Sequence, residues 1–271
     1  LTSTAVSAEH DALEYTVMSY RSFPGADPEK GLSNEEYGLP QTYMMYDIAA
    51  LQQLYGADFS LNNSDSTYTV SPTTGEMSIN GTGQGAPGAN KVFRTIWDGG
   101  GKDTYDFSNY DTDLAVDLAP GGFSLISKEQ QAKLGPDKVA QGNIYNSLLY
   151  KDDVRSLIEN AIGGKGNDTI KGNAAANDLK GGLGNDILSG LGGDDLLRGD
   201  GGNDTLDGGV GNDTAFFSGA TTNYTVALSG DGVTITDKRA GSDGVDQVKN
   251  VESFEFAGSK LSLADVRLLA G

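Results

Sequence analysis

From Gly163 to Phe216 the chain repeats itself every nine residues without insertion: GGKGNDTIK, GNAAANDLK, GGLGNDILS, GLGGDDLLR, GDGGNDTLD, GGVGNDTAF. A fixed short period restricts a chain to architectures that stack one small unit on the next. Each unit follows GGxGxDxUx, with U a large apolar residue: Ile170, Leu179, Leu188, Leu197, Leu206 and, in the last, Ala215. The last three residues of a unit read as a short strand with that one side chain turned inward. The first six read as a turn, where glycine supplies backbone with φ > 0. Two units make one coil, so turns on the same side recur every 18 residues. The spacing predicts that Asp168 faces Asp186, Asp186 faces Asp204, Asn177 faces Asp195, and Asp195 faces Asp213.

Facing carboxylates repel unless a cation lies between them. A hard cation with 6–8 oxygen ligands suits carboxylates joined by turn carbonyls, which points to calcium. The expected ligands are the side chains of Asp168, Asn177, Asp186, Asp195, Asp204 and Asp213. Turn positions of Gly164, Gly166, Asn173, Ala175, Gly181, Gly182, Leu183, Gly184, Gly190, Leu191, Gly192, Gly193, Gly199, Gly201, Gly208 and Val210 supply the rest. Four calcium ions are expected, two on each side, with the second turn weakest because Asn177 lacks a charge and Ala174–Ala176 replace glycines. A disordered Gly/Asp linker has no reason to keep positions six and eight in register.

The whole chain agrees with this chemistry. Its 271 residues carry 38 Asp+Glu against 19 Lys+Arg, a net charge of −19. Such a balance argues against nucleic acid and anionic membrane surfaces as partners and favours cations. With no Cys and one His, thiol chemistry, Cys-ligated zinc and any three-His zinc site built from this chain alone are excluded. No apolar run approaches a membrane span, and LTSTAVSAEHDALEY lacks the pattern of a signal peptide.

Outside the array, Thr42–Tyr55 places Met45, Ile48, Leu51, Gln52 and Tyr55 at helical spacing. Strand-like runs occupy Thr67–Val70, Lys91–Trp97 and Leu114–Leu118. Tyr224–Leu228 and Val233–Thr236 read as a hairpin about Ser229-Gly230-Asp231-Gly232, and Leu263–Leu269 as a short helix. The expected fold is mainly β: a right-handed parallel β-roll with flanking antiparallel strands, preceded by a short helical piece. Domain boundaries are expected at 1–60 and 61–271, with the roll at 163–216 and closing strands at 217–271.

Nonapeptides of this kind, called RTX repeats, occur in many secreted bacterial proteins. Upstream, Glu14-Tyr-Thr-Val-Met-Ser-Tyr20 resembles the Met-turn of the serralysins, secreted zinc endopeptidases of the metzincin group. Tyr46-Asp-Ile-Ala-Ala-Leu-Gln-Gln-Leu-Tyr-Gly56, Ile96-Trp-Asp-Gly-Gly-Gly-Lys-Asp-Thr-Tyr-Asp-Phe107 and Leu157-Ile-Glu-Asn-Ala-Ile-Gly-Gly164 look like the same family in the same order. The resemblance implies that Met18 is a floor beneath zinc ligands and Tyr20 a phenolic zinc ligand that can bond a developing oxyanion. It also implies calcium at Asp98, Gly100, Gly101, Asp103, Leu157 and Glu159. A further contribution would fall near Asn62, Ser64 and Ser66, though the family often has Arg where Asn62 stands.

The family's HExxHxxGxxH is absent here, and His10 is followed by Asp11. The chain therefore resembles the C-terminal part of such a protease from just before the Met-turn onward, inactive on its own, with His10 on the surface. The resemblance further implies type I export from a C-terminal signal, an extracellular location, peptide or protein substrates for the complete zinc enzyme, and a proteinaceous inhibitor as a possible partner. Calcium would then act as a folding switch: free calcium is scarce inside the cell and millimolar outside. The alternative reading is a non-enzymatic calcium-binding secretion or adhesion module.

Overall fold

The computed structural model describes residues 6–230 and 232–270. Asp231 of the expected hairpin turn, the first five residues of the N-terminal segment and the terminal Gly271 lie outside them. The described parts of 1–66, 70–101 and 120–157 form one compact unit, and those of 67–69, 102–119 and 158–271 a second.

The first unit is built around α1 (Met45–Tyr55) and short strands. Its core gathers Leu13, Met44, Met45, Phe93, Ala132, Leu134, Ala140 and Tyr145. The helix starts later than the sequence pattern suggests, at Met45 instead of Thr42, because Met44 is extended and its N–H donates to the Asp47 carboxylate at 2.9 Å. That carboxylate satisfies a first-turn donor and favours the positive end of the helix dipole. The buried face is Met45, Asp47 and Gln52, while Leu51 and Tyr55 are exposed. The other end stops at Gly56, where φ is +85° and the N–H donates to the Gln52 carbonyl. Strand Arg94–Ile96 pairs in parallel with Ile144–Asn146, which pairs antiparallel with Phe123–Ser124.

The second unit is the roll. Its strands in chain order are β1 (Thr67–Val70), β2 (Thr104–Asp106), β3 (Ala115–Asp117), β4 (Asn160–Ile162), β5 (Thr169–Lys171), β6 (Asp178–Leu183), β7 (Ile187–Gly192), β8 (Leu196–Gly201), β9 (Thr205–Val210) and β10 (Thr214–Phe217). The chain then adds β11 (Tyr224–Ser229), β12 (Gly232–Asp237), β13 (Val245–Lys249), β14 (Ser253–Phe256), β15 (Ser259–Ser262) and α2 (Leu263–Leu268). One sheet contains β15, β14, β10, β8, β6, β4, β2 and β1 in that order; the other runs β11, β12, β13, β9, β7, β5 and β3.

The register is that of an 18-residue coil. Leu179 pairs with Leu197 and Leu197 with Ala215 in one sheet, and Ile170 with Leu188 and Leu188 with Leu206 in the other. All six inward residues are fully buried, so the sheets close on a single file of aliphatic side chains. The strands are longer than the three residues expected: β6 to β9 each run six, from position seven through position three of the next unit. Pairing such as Gly182 with Asp200 and Leu183 with Gly201 carries the ladder into the first three of the six residues expected to be turn. The bend itself is confined to positions four to six.

The roll also extends past the array at both ends. Upstream, β1, β2 and β4 stack in parallel on β6, and β3 on β5. Downstream, β13 continues from β9 and β14 from β10, both in parallel. The expected hairpin is present as β11 and β12, antiparallel from Tyr224 opposite Asp237 to Ser229 opposite Gly232.

Candidate functional site: the stacked aspartate turns

Every turn of the array ends in a buried acid or amide. Asp168, Asn177, Asp186, Asp195, Asp204 and Asp213 are all at most 2% exposed. On one side the Asp168 N–H donates to Asp186 Oδ1 at 2.7 Å, and the Asp186 N–H to Asp204 Oδ1 at 2.8 Å. On the other, the Asn177 N–H donates to Asp195 Oδ1 at 2.7 Å and the Asp195 N–H to Asp213 Oδ1 at 2.8 Å. The four facing pairs expected from the period are therefore the pairs brought together.

One oxygen of each carboxylate is used in this way. The other is not: Oδ2 of Asp186, Asp195, Asp204 and Asp213 is buried without a hydrogen-bond partner. A buried carboxylate oxygen left unpaired costs free energy, and a bound cation removes that cost. The first glycine of each unit leaves room for the position-six side chain: a Cβ on Gly199 would overlap Asp204 Oδ2.

Burial raises these carboxyls. Asp186 is pushed up to about 7, chiefly by desolvation and further by the charges of Asp204 and Asp168. Asp195 and Asp204 rise to about 6, and Asp213 also rises, each mainly through burial. Among the described residues no three His, Cys, Asp or Glu side chains converge as a metal-binding group. A cation held by these turns would take two carboxylates and complete its shell with backbone carbonyls, which suits calcium better than zinc.

The entry turns differ. Asp168 rises to about 6 by burial, but its Oδ1 receives the Leu114 N–H at 2.8 Å and its Oδ2 the Gly164 N–H at 2.6 Å. Asn177 accepts from the Asn173 N–H and donates to the Glu159 carbonyl, both at 2.8 Å. Asn173 in turn donates to the Ile158 carbonyl at 2.8 Å. Gly164, Gly166, Asn173 and Ala175 do not adopt the positive φ seen at Gly182, Gly184, Gly193, Gly202, Gly209 and Gly211. Nor is glycine required throughout, because Leu191 and Asp200 take φ of +74° and +64°.

Of the residues expected upstream, Asp98, Gly100, Gly101 and Leu157 belong to the first unit, where Asp98 accepts the Gly100 N–H at 2.9 Å. Asp103 and Glu159 belong to the second, where the Asp103 N–H donates to Glu159 Oε2 at 2.7 Å. Met18 and Tyr20 sit on a turn pinned by Asp47, which accepts from Thr16 Oγ1 at 2.5 Å and the Val17 N–H at 2.8 Å. Both side chains point outward, at 76% and 78% exposure. His10, expected on the surface, is instead half-buried against Tyr15 and Tyr46, ring centroids 4.7 and 5.6 Å away.

Sequence reasoning missed a second file of side chains at position five. Asn167 Oδ1 accepts the Asn185 N–H and Asn185 Oδ1 the Asn203 N–H, both at 2.7 Å. Asp113 and Asp194 play the same part toward Asn167 and Asn212. The recurring Asn-Asp pair was the available signal. Also missed were Asp246 and Glu252, whose carboxylates receive the N–H groups of Asp204 at 2.9 Å and Asp213 at 2.8 Å.

Comparison with known proteins agrees with this geometry. Residues 156–188 and 180–215 match the RTX calcium-binding nonapeptide repeat, and residues 57–135 match the serralysin C-terminal family of M10 peptidases. The serralysin of Proteus mirabilis is 33% identical over 169 residues, covering 62% of this chain and 29% of the relative. The metallopeptidase AprA of Pseudomonas marginalis is 34% identical over 171 residues, 62% of this chain and 30% of that protein. The serralysin of Photorhabdus luminescens is 35% identical over 170 residues, with 62% and 29% covered. The chain thus spans about three-tenths of the length of the curated relatives it matches. It carries a serralysin C-terminal domain with RTX calcium-binding repeats.

Proposed function

We propose that this chain is the C-terminal portion of a secreted serralysin-type zinc endopeptidase, and that its roll is a calcium-loaded folding module. The observation that carries the calcium reading is the set of orphaned, buried Oδ2 atoms of Asp186, Asp195, Asp204 and Asp213. In this reading those carboxylates, with turn carbonyls, hold the ions. Asp168 and Asn177 close the entry turns. One buried Leu or Ile per nine residues contributes about 1.5–3 kcal/mol, less than the backbone entropy of ordering nine residues. Calcium supplies the missing stabilisation, so folding and loading are one event.

Residues 1–60 would be the end of the protease domain and 61–271 the C-terminal domain. Met18 and Tyr20, held outward by the Asp47-pinned turn, suit a face completed by a segment bearing the zinc imidazoles. The described residues do not themselves make a zinc site, and no hydrolytic step is assigned to them. The same reading places the protein outside the cell after type I export, acting on peptide or protein substrates and open to a proteinaceous inhibitor. Among the described residues no helix is long and apolar enough to cross a membrane.

The test is calcium removal at pH 7 followed by far-UV circular dichroism. The β signal of the roll disappears in excess chelator and returns on adding calcium. A roll that stays folded in chelator contradicts the proposal.

A further inference from the structure

After Phe217 the chain leaves the roll, builds the hairpin of β11 and β12, and returns. The returning stretch, Gly241-Ser-Asp-Gly-Val-Asp-Gln-Val-Lys249, has the nonapeptide pattern: glycine at positions one and four, Asp246 at six and Val248 at eight. Residues 217–240 separate it from the array and hide the period.

Several features of the fold treat it as a seventh unit. Strand β13 pairs in parallel with β9 so that Gln247, Val248 and Lys249 lie beside Thr205, Leu206 and Asp207, positions seven to nine against seven to nine. Val248 is buried with the position-eight aliphatics. Gly244 has φ +77°, and a Cβ there would overlap the Gly202 carbonyl, as one on Gly202 would overlap the Gly184 carbonyl. The Val245 N–H donates to Asn203 Oδ1 at 2.9 Å, continuing the position-five file. The Asp204 N–H donates to Asp246 Oδ1, continuing the position-six file. The turn 241–246 therefore lies on 199–204 as that turn lies on 181–186.

The pair is also short of a partner. Asp204 and Asp246 are 1% and 2% exposed, and Asp204 Oδ2 has no hydrogen bond although Oδ1 receives the Asp186 N–H. Arg239, in the same returning segment, pairs with Asp237 at 2.6 Å and Asp243 at 3.6 Å.

We propose that Asp204 and Asp246 hold a further calcium ion outside the six-unit array, with backbone carbonyls of the turns 199–204 and 241–246 completing its oxygen shell. This rests on the calcium reading of the array. The detached unit makes the hairpin and the C-terminal strands part of the calcium-dependent fold, where a bare array would end at Phe216.

The test counts calcium ions on the full chain by native mass spectrometry, for wild type and for Asp246→Asn. The expected result is one ion fewer in a folded Asp246→Asn protein, with the remaining ions kept. An unchanged count in the folded variant overturns this site alone, whereas a wild-type chain that takes up no calcium overturns the array reading as well. Anomalous diffraction from calcium-grown wild-type crystals decides independently of the variant's folding. A calcium peak between Asp204 and Asp246 supports the site, and its absence there with peaks elsewhere in the roll overturns it.

Discussion

Gly202 shows how tightly single residues are held in this roll. Its φ is +147°, and a Cβ would overlap the Gly184 carbonyl of the preceding coil. We expect Gly202→Ala to cost at least about 3 kcal/mol, read as a drop in the denaturation midpoint of the calcium-loaded protein. Position five is more forgiving. Asn185→Ala removes the acceptor of the exposed Asn203 N–H and should cost about 1 kcal/mol. Asn185→Asp keeps an acceptor, as Asp194 already does for Asn212, and should stay within about 0.5 kcal/mol of wild type. Positions six and eight were legible because their chemistry repeats with the period. Position five was not, because Asn beside Gly and Asp reads as an ordinary loop until coils stack.

At the scale of the element, the roll is a file of aliphatics between two rows of acids. Leu197, fully buried between the sheets, has neighbours fixed by parallel pairing, so Leu197→Ala should cost about 2–5 kcal/mol by chemical denaturation. The acids set the pH response of the calcium-free chain. Asp186 near 7 and Asp195 and Asp204 near 6 bind protons more tightly folded than unfolded, where an Asp titrates near 3.8. Their contribution to stability is complete below about pH 4 and is lost as pH rises through 6 to 7. Without calcium the far-UV β signal of the roll should therefore be greatest near pH 4.5 and be lost by pH 7.5, whereas saturating calcium should keep it at the higher pH, because calcium competes with those protons. A calcium-free β signal that grows as pH rises over the same range would refute this assignment. Strand length and the roll's extension were not legible. The ladder runs into glycines that look like turn, β1 to β3 lack the motif, and residues 217–240 interrupt the period before Val245–Lys249.

The molecule as a whole carries a charge of −19, and the buried acids of its array stand in two rows. The nine-residue period marked where the array begins, at Gly163, but not that residues 67–69 and 102–119 join the same compact unit. Such long-range pairing leaves no local trace, since Tyr105 and Val116 look like residues of any β-strand. Met18 and Tyr20 were singled out by resemblance alone, since neither spacing nor composition marks two exposed side chains on a turn held by Asp47. The central claim is that calcium in the aspartate turns holds the roll together, and amide hydrogen exchange on the full chain at pH 7, with and without calcium, tests it most directly. With calcium, the amides of β6 to β10 should be strongly protected; without it they should exchange at nearly unfolded rates, while α1 keeps its own protection. Equal protection of β6 to β10 in both conditions would contradict the account.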